Sequence, residues 1–186
     1  MTEIILASAS PRRKELLSYL NLPFKVQPSS FEELFSPADV PEEVVLRLAK
    51  GKAADVAQQY PDAAVIGCDT IVVCEQILGK PRNEKEAELM LNQLSDRTHT
   101  VWTGVSILYG KKRVEFVERT EVTFWPLTQK DIQAYIKSGD CFDKAGAYGI
   151  QSGGALFVRK IHGDYYSVVG LPVARLKREI APLLSI

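Results

Sequence analysis

Cysteine and histidine are both scarce. Cys68, Cys74 and Cys141 form no CxxC pair, and His99 and His162 are the two histidines of the chain. This gives poor support to a thiolate–imidazole zinc site or to a Cys–His nucleophile; reduced, buried thiols in a cytoplasmic protein are the expectation. Net charge is absent as well. Lys plus Arg and Asp plus Glu stand at 23 each, so no global field draws in nucleic acid or an acidic membrane, and any anion site is local. Apolar runs such as "AAVIG" are far too short to span a bilayer. The start "MTEIILASAS" lacks the basic n-region and long h-region of a signal peptide, so export is not expected. No GxxxxGK[ST] motif occurs, which argues against a P-loop NTPase, and no internal repeat or low-complexity linker divides the 186 residues. That length suits one domain, 1–186, or one domain with two lobes around a cleft.

What is present reads as mixed α/β. "IILA" predicts a short buried strand, followed by a helix from Pro11 to about Leu20. "LPFKVQP" predicts a second strand, residues 29–40 an irregular loop, and Pro41 to about Gln59 a helix with Val44, Val45, Leu48, Ala49 and Val56 on its apolar face. "AAVIGCDTIVVC" is a β-branched run expected of a strand covered on both sides, and a helix follows from about Glu84 to Leu94. From His99 the pattern alternates through "HTVWTGVSILY", the turn "GKKR" and "VEFVERTEVTFWPL", as in a long antiparallel hairpin. Thr128 caps a short helix ending near Gly139. Then come the glycine-rich loop "DKAGAYGIQSGGA", a strand "LFVRKIHG", a further strand or turn "DYYSVVG" and a closing helix "LPVARLKREIAPLL".

The segment "LASASPRRKELL" places charge where a helix repels it. Ser10 suits the N-cap and Pro11 the first helical position. Arg12, Arg13 and Lys14 follow in the first turn, where each cation costs a few tenths to about 1 kcal/mol against the macrodipole. A solvated helix start would explain this, with Glu15 pairing to Arg12 at i, i+3. The functional alternative is that free N–H groups, the hydroxyls of Ser8 and Ser10 and two guanidiniums converge on a phosphate.

Asp69 interrupts "VIGCDTIVV", where a carboxylate costs several kcal/mol unless paired, hydrated or bound to a metal. It is either a structural cap or a catalytic carboxylate at the exposed end of a strand, accepting a proton from water or holding Mg²⁺. Thr70 points to the opposite face if the strand is regular, or lines the same mouth if the strand is ending. Glu32 and Glu33 lie in the polar loop, as solvated bystanders or functional acids alike. Arg47, Lys50 and Lys52 do not share one helical face, so most of these charges are expected in solvent. Lys80, in "LGKPRN", sits on a stiff turn facing out of the sheet. Asp143, Lys144, Tyr148 and Gln151 lie among glycines that let backbone approach a ligand, and Asp164 in "GDYY" reads as a turn cap. Together these residues suit a phosphorylated small molecule with a hard cation better than an acyl or redox substrate.

Six motifs in order, "LASASPRRKELL", "LRLAKGKA", "VIGCDTIVV", "LGKP", "DKAGAYGIQ" and "GDYYSVVGLP", resemble those of the Maf-type nucleoside triphosphate pyrophosphatases. The likeness runs from about Ile4 to Leu184. It implies hydrolysis between the α and β phosphates, a divalent cation such as Mg²⁺ or Mn²⁺, and an α/β fold in which a mixed twisted sheet with flanking helices forms two lobes around a substrate cleft. It also implies a cytoplasmic and often dimeric protein, a homodimer; balanced charge without a basic, aromatic-interleaved stripe, and the short apolar runs, argue against nucleic-acid and membrane partners. The family's proton acceptor falls on Asp69, and its phosphate-contacting and otherwise required residues fall on Ser8, Arg13, Glu33, Lys52 and Lys80. Glu33 is the second metal candidate beside Asp69. Arg12, Thr70 and Gln151 match the dTTP/UTP-directed subgroup, whereas the subgroup acting on 7-methyl-GTP tends to carry Trp, Gln and Glu there. The alternatives are a house-cleaning pyrophosphatase for modified nucleotides and, from another class, a nucleotide-sensing or nucleic-acid-binding regulator of cell division.

Overall fold

The β-branched run around Asp69 forms the spine of the sheet. The structure is a computed structural model, and it describes residues 2–184. In chain order the elements are β1 (Ile4–Leu6), α1 (Pro11–Ser18), β2 (Phe24–Val26), α2 (Pro41–Ala57), β3 (Ala64–Cys74), β4 (Gln76–Leu78), α3 (Glu84–Leu94), β5 (Thr98–Tyr109), β6 (Lys112–Phe124), α4 (Gln129–Lys137), β7 (Val158–His162), α5 (Tyr165–Val169) and α6 (Val173–Leu184). Seven strands make one mixed sheet in the order β2-β1-β3-β5-β6-β7, with β4 added to the far end of β3. Pairings of β1 with β2 and β3 are parallel; the rest are antiparallel. The expected mixed α/β sheet with flanking helices is therefore found. Among the described residues no helix is long and apolar enough to cross a membrane.

The two faces of the sheet are covered differently. Alternate residues of β3 face α2: Val65 packs with Ala53 and Val56, and Ile71 with Val45 and Leu48. The intervening Ile66, Cys68 and Val72 join the main core with Leu16, Leu91 and Leu176. Burying each such leucine stabilises the fold by about 1.5–3 kcal/mol. Helix α2 lies very close to the strands because two glycines face it. A Cβ on Gly67 would stand 2.1 Å from the Ala49 carbonyl oxygen, and one on Gly104 would stand 2.5 Å from that of Val45. That close approach sets the depth at which α2 presents its side chains to β3.

Local chemistry explains most element ends. Thr128 and Asp131 form a reciprocal capping box on α4, and Gly139 just beyond it has φ 77, a left-handed stop suited to glycine. The hairpin turn is tighter than "GKKR": Tyr109 pairs directly with Lys112, leaving Gly110 and Lys111 as the loop. The segment "DYYSVVG" is a short helix, not a strand or turn. The Asp164 carboxylate accepts from the Tyr166 and Ser167 N–H groups, which starts the helix against the β preference of two tyrosines and two valines.

One buried histidine makes stability depend on pH. His99 is 2% exposed; its Nε2 lies 2.8 Å from the Tyr148 hydroxyl, the Phe124 ring stands edge-on at 4.9 Å, and Nδ1 has no partner among the described residues. Burial pushes the imidazole down to about 4. The unfolded chain takes up a proton near pH 6.5 that the folded chain refuses until about 4, so this stabilisation is complete above about 6.5 and is lost as pH falls through 4. We expect a loss of about 3 kcal/mol from this group over that window. Urea midpoints at pH 7 and pH 4.5 should show a smaller drop for His99→Gln than for the parent chain; equal drops would remove His99 as the cause.

Candidate active site

A gap in one edge of β3 creates the site. On that edge β1 pairs with Ala64–Ile66 and β4 with Val72–Cys74, so residues 67–71 have no neighbouring strand. Asp69 and Thr70 fall in the gap on opposite faces, as alternation requires. A cleft of about 330 Å³ opens there and takes in both, together with Arg12, Arg13, Glu33, Lys80 and Gln151. Seven of the nine residues given a role by the family resemblance thus line one cavity, and so do Ser10, Asp143, Lys144 and Tyr148. Ser8 and Lys52 sit behind its lining and hold the side chains that form it.

On the α2 face, the Lys52 ammonium donates to Asp69 Oδ1 at 2.5 Å and to Glu33 Oε1 at 2.6 Å. Lys52 and Asp69 are 6% and 5% exposed. Solvent exposure, expected for most of the α2 cations, therefore fails for Lys52: it follows Leu48 and Ala49 on the apolar stripe. Arg47 and Lys50 remain near solvent, bound to the Leu34 carbonyl and to Glu115. Lys80 Nζ stands 3.5 Å from Glu33 Oε2 at the exposed rim. Burial alone would raise the Glu33 carboxyl, but the hydrogen bond and charge of Lys52, helped by Lys80, outweigh it and hold the group below its ordinary value. Lys52 and Lys80 together balance the two carboxylates, so this group is close to neutral, and a metal held there would share Glu33 and Asp69 with these ammoniums.

On the α1 face the charge is positive. Arg13 donates through Nε to the Gly170 carbonyl at 2.9 Å, and its two terminal nitrogens donate to Ser8 Oγ at 3.3 Å and Thr70 Oγ1 at 3.2 Å. The Thr70 hydroxyl also meets that of Thr103 at 2.9 Å. Every partner of Arg13 among the described residues is neutral, so its charge faces the cleft unbalanced. Arg12 turns the other way: it pairs with Asp143 at 3.0 Å, 131 residues along the chain, and not with Glu15. The i, i+3 pairing expected of a solvated helix start is absent because the glycine-rich loop offers a closer carboxylate.

That loop forms the far wall. Lys144 donates to Asp143 at 2.6 Å and to the Asp140 carboxylate at 2.8 Å, and Asp140 also accepts from the Tyr135 and Ser152 hydroxyls. Burial raises the Asp140 carboxyl, but the hydrogen bonds of Lys144, Ser152 and Tyr135 outweigh it and bring it to about 2. Asp140, Tyr135 and Ser152 were not singled out by sequence reasoning; the i, i+4 spacing of Asp140 and Lys144 is their one local signal. The three cysteines are free and buried, and burial pushes the Cys68 thiol up as it donates to the Gly170 carbonyl. No group of three or more His, Cys, Asp or Glu that could hold a metal occurs among the described residues. Four carboxylates line the cleft: Glu33 and Asp69 on the α2 side, and Asp140 and Asp143 on the far wall, where Lys144 and Arg12 engage them.

Known proteins match this chain over nearly its full length. The family of Maf-like proteins covers residues 3–183. A dTTP/UTP pyrophosphatase of Bacillus cereus strain ATCC 14579 is 55% identical over 181 residues, which is 97% of this chain and 95% of the relative. A dTTP/UTP pyrophosphatase of Bacillus mycoides strain KBAB4 is 53% identical with the same coverage. The fold is also similar to that of a HAM1 protein from Coxiella burnetii, with a TM-score of 0.54 at 15% identity, covering 98% of this chain and 100% of that one. On the strength of the family match and these relatives, the chain belongs to the Maf-like protein family.

Proposed function

We propose that this chain is a nucleoside triphosphate pyrophosphatase that converts dTTP and UTP to the monophosphate and pyrophosphate. The observation that carries the phosphate part is Arg13, a cation at the cleft whose described partners are all neutral. A polyphosphate supplies the missing negative charge and resolves the unfavourable placement of a cation at the start of α1. The names of the 55% and 53% identical relatives support the pyrimidine part.

Each residue then has a task. Arg13 and Lys80 hold phosphate oxygens and offset the charge that collects on the leaving pyrophosphate. Ser8 and Thr70 keep the Arg13 guanidinium aimed at the cleft. Lys52 fixes the Asp69 carboxylate by one oxygen, leaving the other to accept a proton from the attacking water. Water adds across the α–β anhydride bridge as that bridge breaks. Glu33 and Asp69 would hold a divalent cation, Mg²⁺ or Mn²⁺, since two carboxylates completed by phosphate oxygens and water form the usual environment of such ions. When bound, that ion supplies charge neutralisation at the phosphates. Gln151, exposed on the opposite wall, reads the pyrimidine edge with one donor and one acceptor group. A single domain spanning 1–186, assembly as a homodimer and action in the cytoplasm complete the proposal on the family resemblance.

Pyrophosphate release across a panel of nucleotides with Mg²⁺ or Mn²⁺ tests it. We expect dTTP and UTP to exceed ATP and GTP by at least tenfold in kcat/KM. A purine preference would overturn the pyrimidine assignment, and a preference for modified bases would favour the house-cleaning role. Tight nucleotide binding with no turnover would favour a sensor.

A further inference from the structure

The Gly149 peptide, which begins the turn leading to Gln151, is held at both ends. Its N–H donates to the Tyr135 hydroxyl at 2.9 Å, and its carbonyl accepts from the Ser152 backbone N–H at 3.3 Å, which leaves the one proton of the Ser152 hydroxyl for Asp140. Both hydroxyls in turn donate to the same oxygen of Asp140, that of Tyr135 at 2.7 Å. The other Asp140 oxygen accepts from Lys144, whose stem lies against Gly149 so closely that a Cβ there would stand 2.4 Å from Lys144 Cε. Lys144 continues to Asp143, and Asp143 to Arg12 on α1. One carboxylate therefore ties down the wall that presents Gln151 and links it to the phosphate side of the cleft.

We infer that Asp140 is a positioning residue for base selection: through Tyr135 and Ser152 it fixes the Gly149–Gln151 turn, and so sets the preference for pyrimidine over purine triphosphates. The inference rests on the function proposed above and adds a residue to it. Asp140 has no atom in the chemistry of hydrolysis. Its contribution is to hold an otherwise exposed turn in one arrangement, so that Gln151 meets the base without first being ordered. Exposed glycine-rich turns without such anchors sample many conformations, and a reader mounted on one discriminates poorly.

The test is kinetic, on Asp140→Asn, Tyr135→Phe, Ser152→Ala and the Tyr135→Phe/Ser152→Ala pair, each first checked for a parent-like circular dichroism spectrum. With UTP, Asp140→Asn should raise KM about tenfold with kcat within about twofold, because selection depends on binding geometry and not on proton transfer. The ratio of kcat/KM for UTP over GTP should fall about tenfold, while inhibition by inorganic tripolyphosphate, which has no base, stays at the parent value. Adding Asp140→Asn to the Tyr135→Phe/Ser152→Ala pair should change little further, since all act on one peptide. A fall in kcat with KM and the UTP/GTP ratio preserved would overturn the inference. So would a matching loss of tripolyphosphate inhibition, or fully additive effects. If Asp140→Asn does not fold, the paired hydroxyl variant carries the same expectation, and an unchanged UTP/GTP ratio in it overturns the inference. Failure of the underlying function is separate and visible in the parent chain, as an absence of any UTP preference over GTP.

Discussion

Replacing Asp69 with Asn should lower kcat for UTP by about 10³-fold while the Kd for the nucleotide changes by less than about threefold. The two parts of this result have different causes. An amide oxygen can still accept the Lys52 hydrogen bond at Oδ1, so α2 and β3 stay in contact and the cleft keeps its shape. The amide cannot take a proton from water, so the step that needs a base is lost. Binding should survive because Arg13 and Lys80, the cations proposed to meet the phosphates, lie on other elements of the cleft. Isothermal titration with Mg²⁺ and UTP, beside steady-state rates, separates the two parts. A variant that turns over normally would remove Asp69 from the chemistry. One that no longer binds would show that its hold on the cation, and not only its acceptance of a proton, carries the nucleotide.

Replacing Lys52 with Met should cost both stability and activity. In the folded chain its ammonium holds two carboxylates within 2.6 Å, and two of the three partners are nearly sealed from solvent. A thioether of similar length fills the space but strands Asp69 beside Glu33 with no cation between them. Breaking a buried pair in this way typically costs about 3–5 kcal/mol, which for a chain of this size lowers Tm by roughly 10 °C. Activity falls with it, because neither carboxylate keeps its orientation. Adding Glu33→Gln should recover part of the lost stability by removing the repulsion, without restoring turnover. Differential scanning calorimetry of the three proteins reads this directly. Equal Tm values for the parent and Lys52→Met would show that the ion pair has no structural weight.

Lys52 also shows how far the sequence can be read and where reading stops. Charge alone assigns a lysine on a helix to solvent, which is right for Lys50. Position assigns Lys52 to the core, because it follows Leu48 and Ala49 and precedes Val56 on one stripe. A buried lysine needs a partner, and Asp69, the one carboxylate inside an apolar strand, was the available match. The long strands, the hairpin and the capping of α4 were legible because each repeats a local rule over many residues. Strand β4 was missed because three residues, Gln76–Leu78, are too few for a period. Helix α5 was misread because the Asp164 cap outweighs the β preference of the residues it starts. The Arg12–Asp143 pair and the Asp140 network were beyond local rules, since they join segments that only the folded sheet brings together. The charge loaded at the start of α1 was the most informative irregularity. In the fold its two guanidiniums part, one to the loop wall and one to the edge gap beside Thr70.

The most direct test of the central claim is phosphorus NMR of products from the parent chain with Mg²⁺, supplied in turn with UTP, dTTP and GTP. The expected spectrum holds nucleoside monophosphate and pyrophosphate in equal amounts from UTP and dTTP, with GTP consumed far more slowly. Nucleoside diphosphate with orthophosphate, or faster loss of GTP, would contradict it.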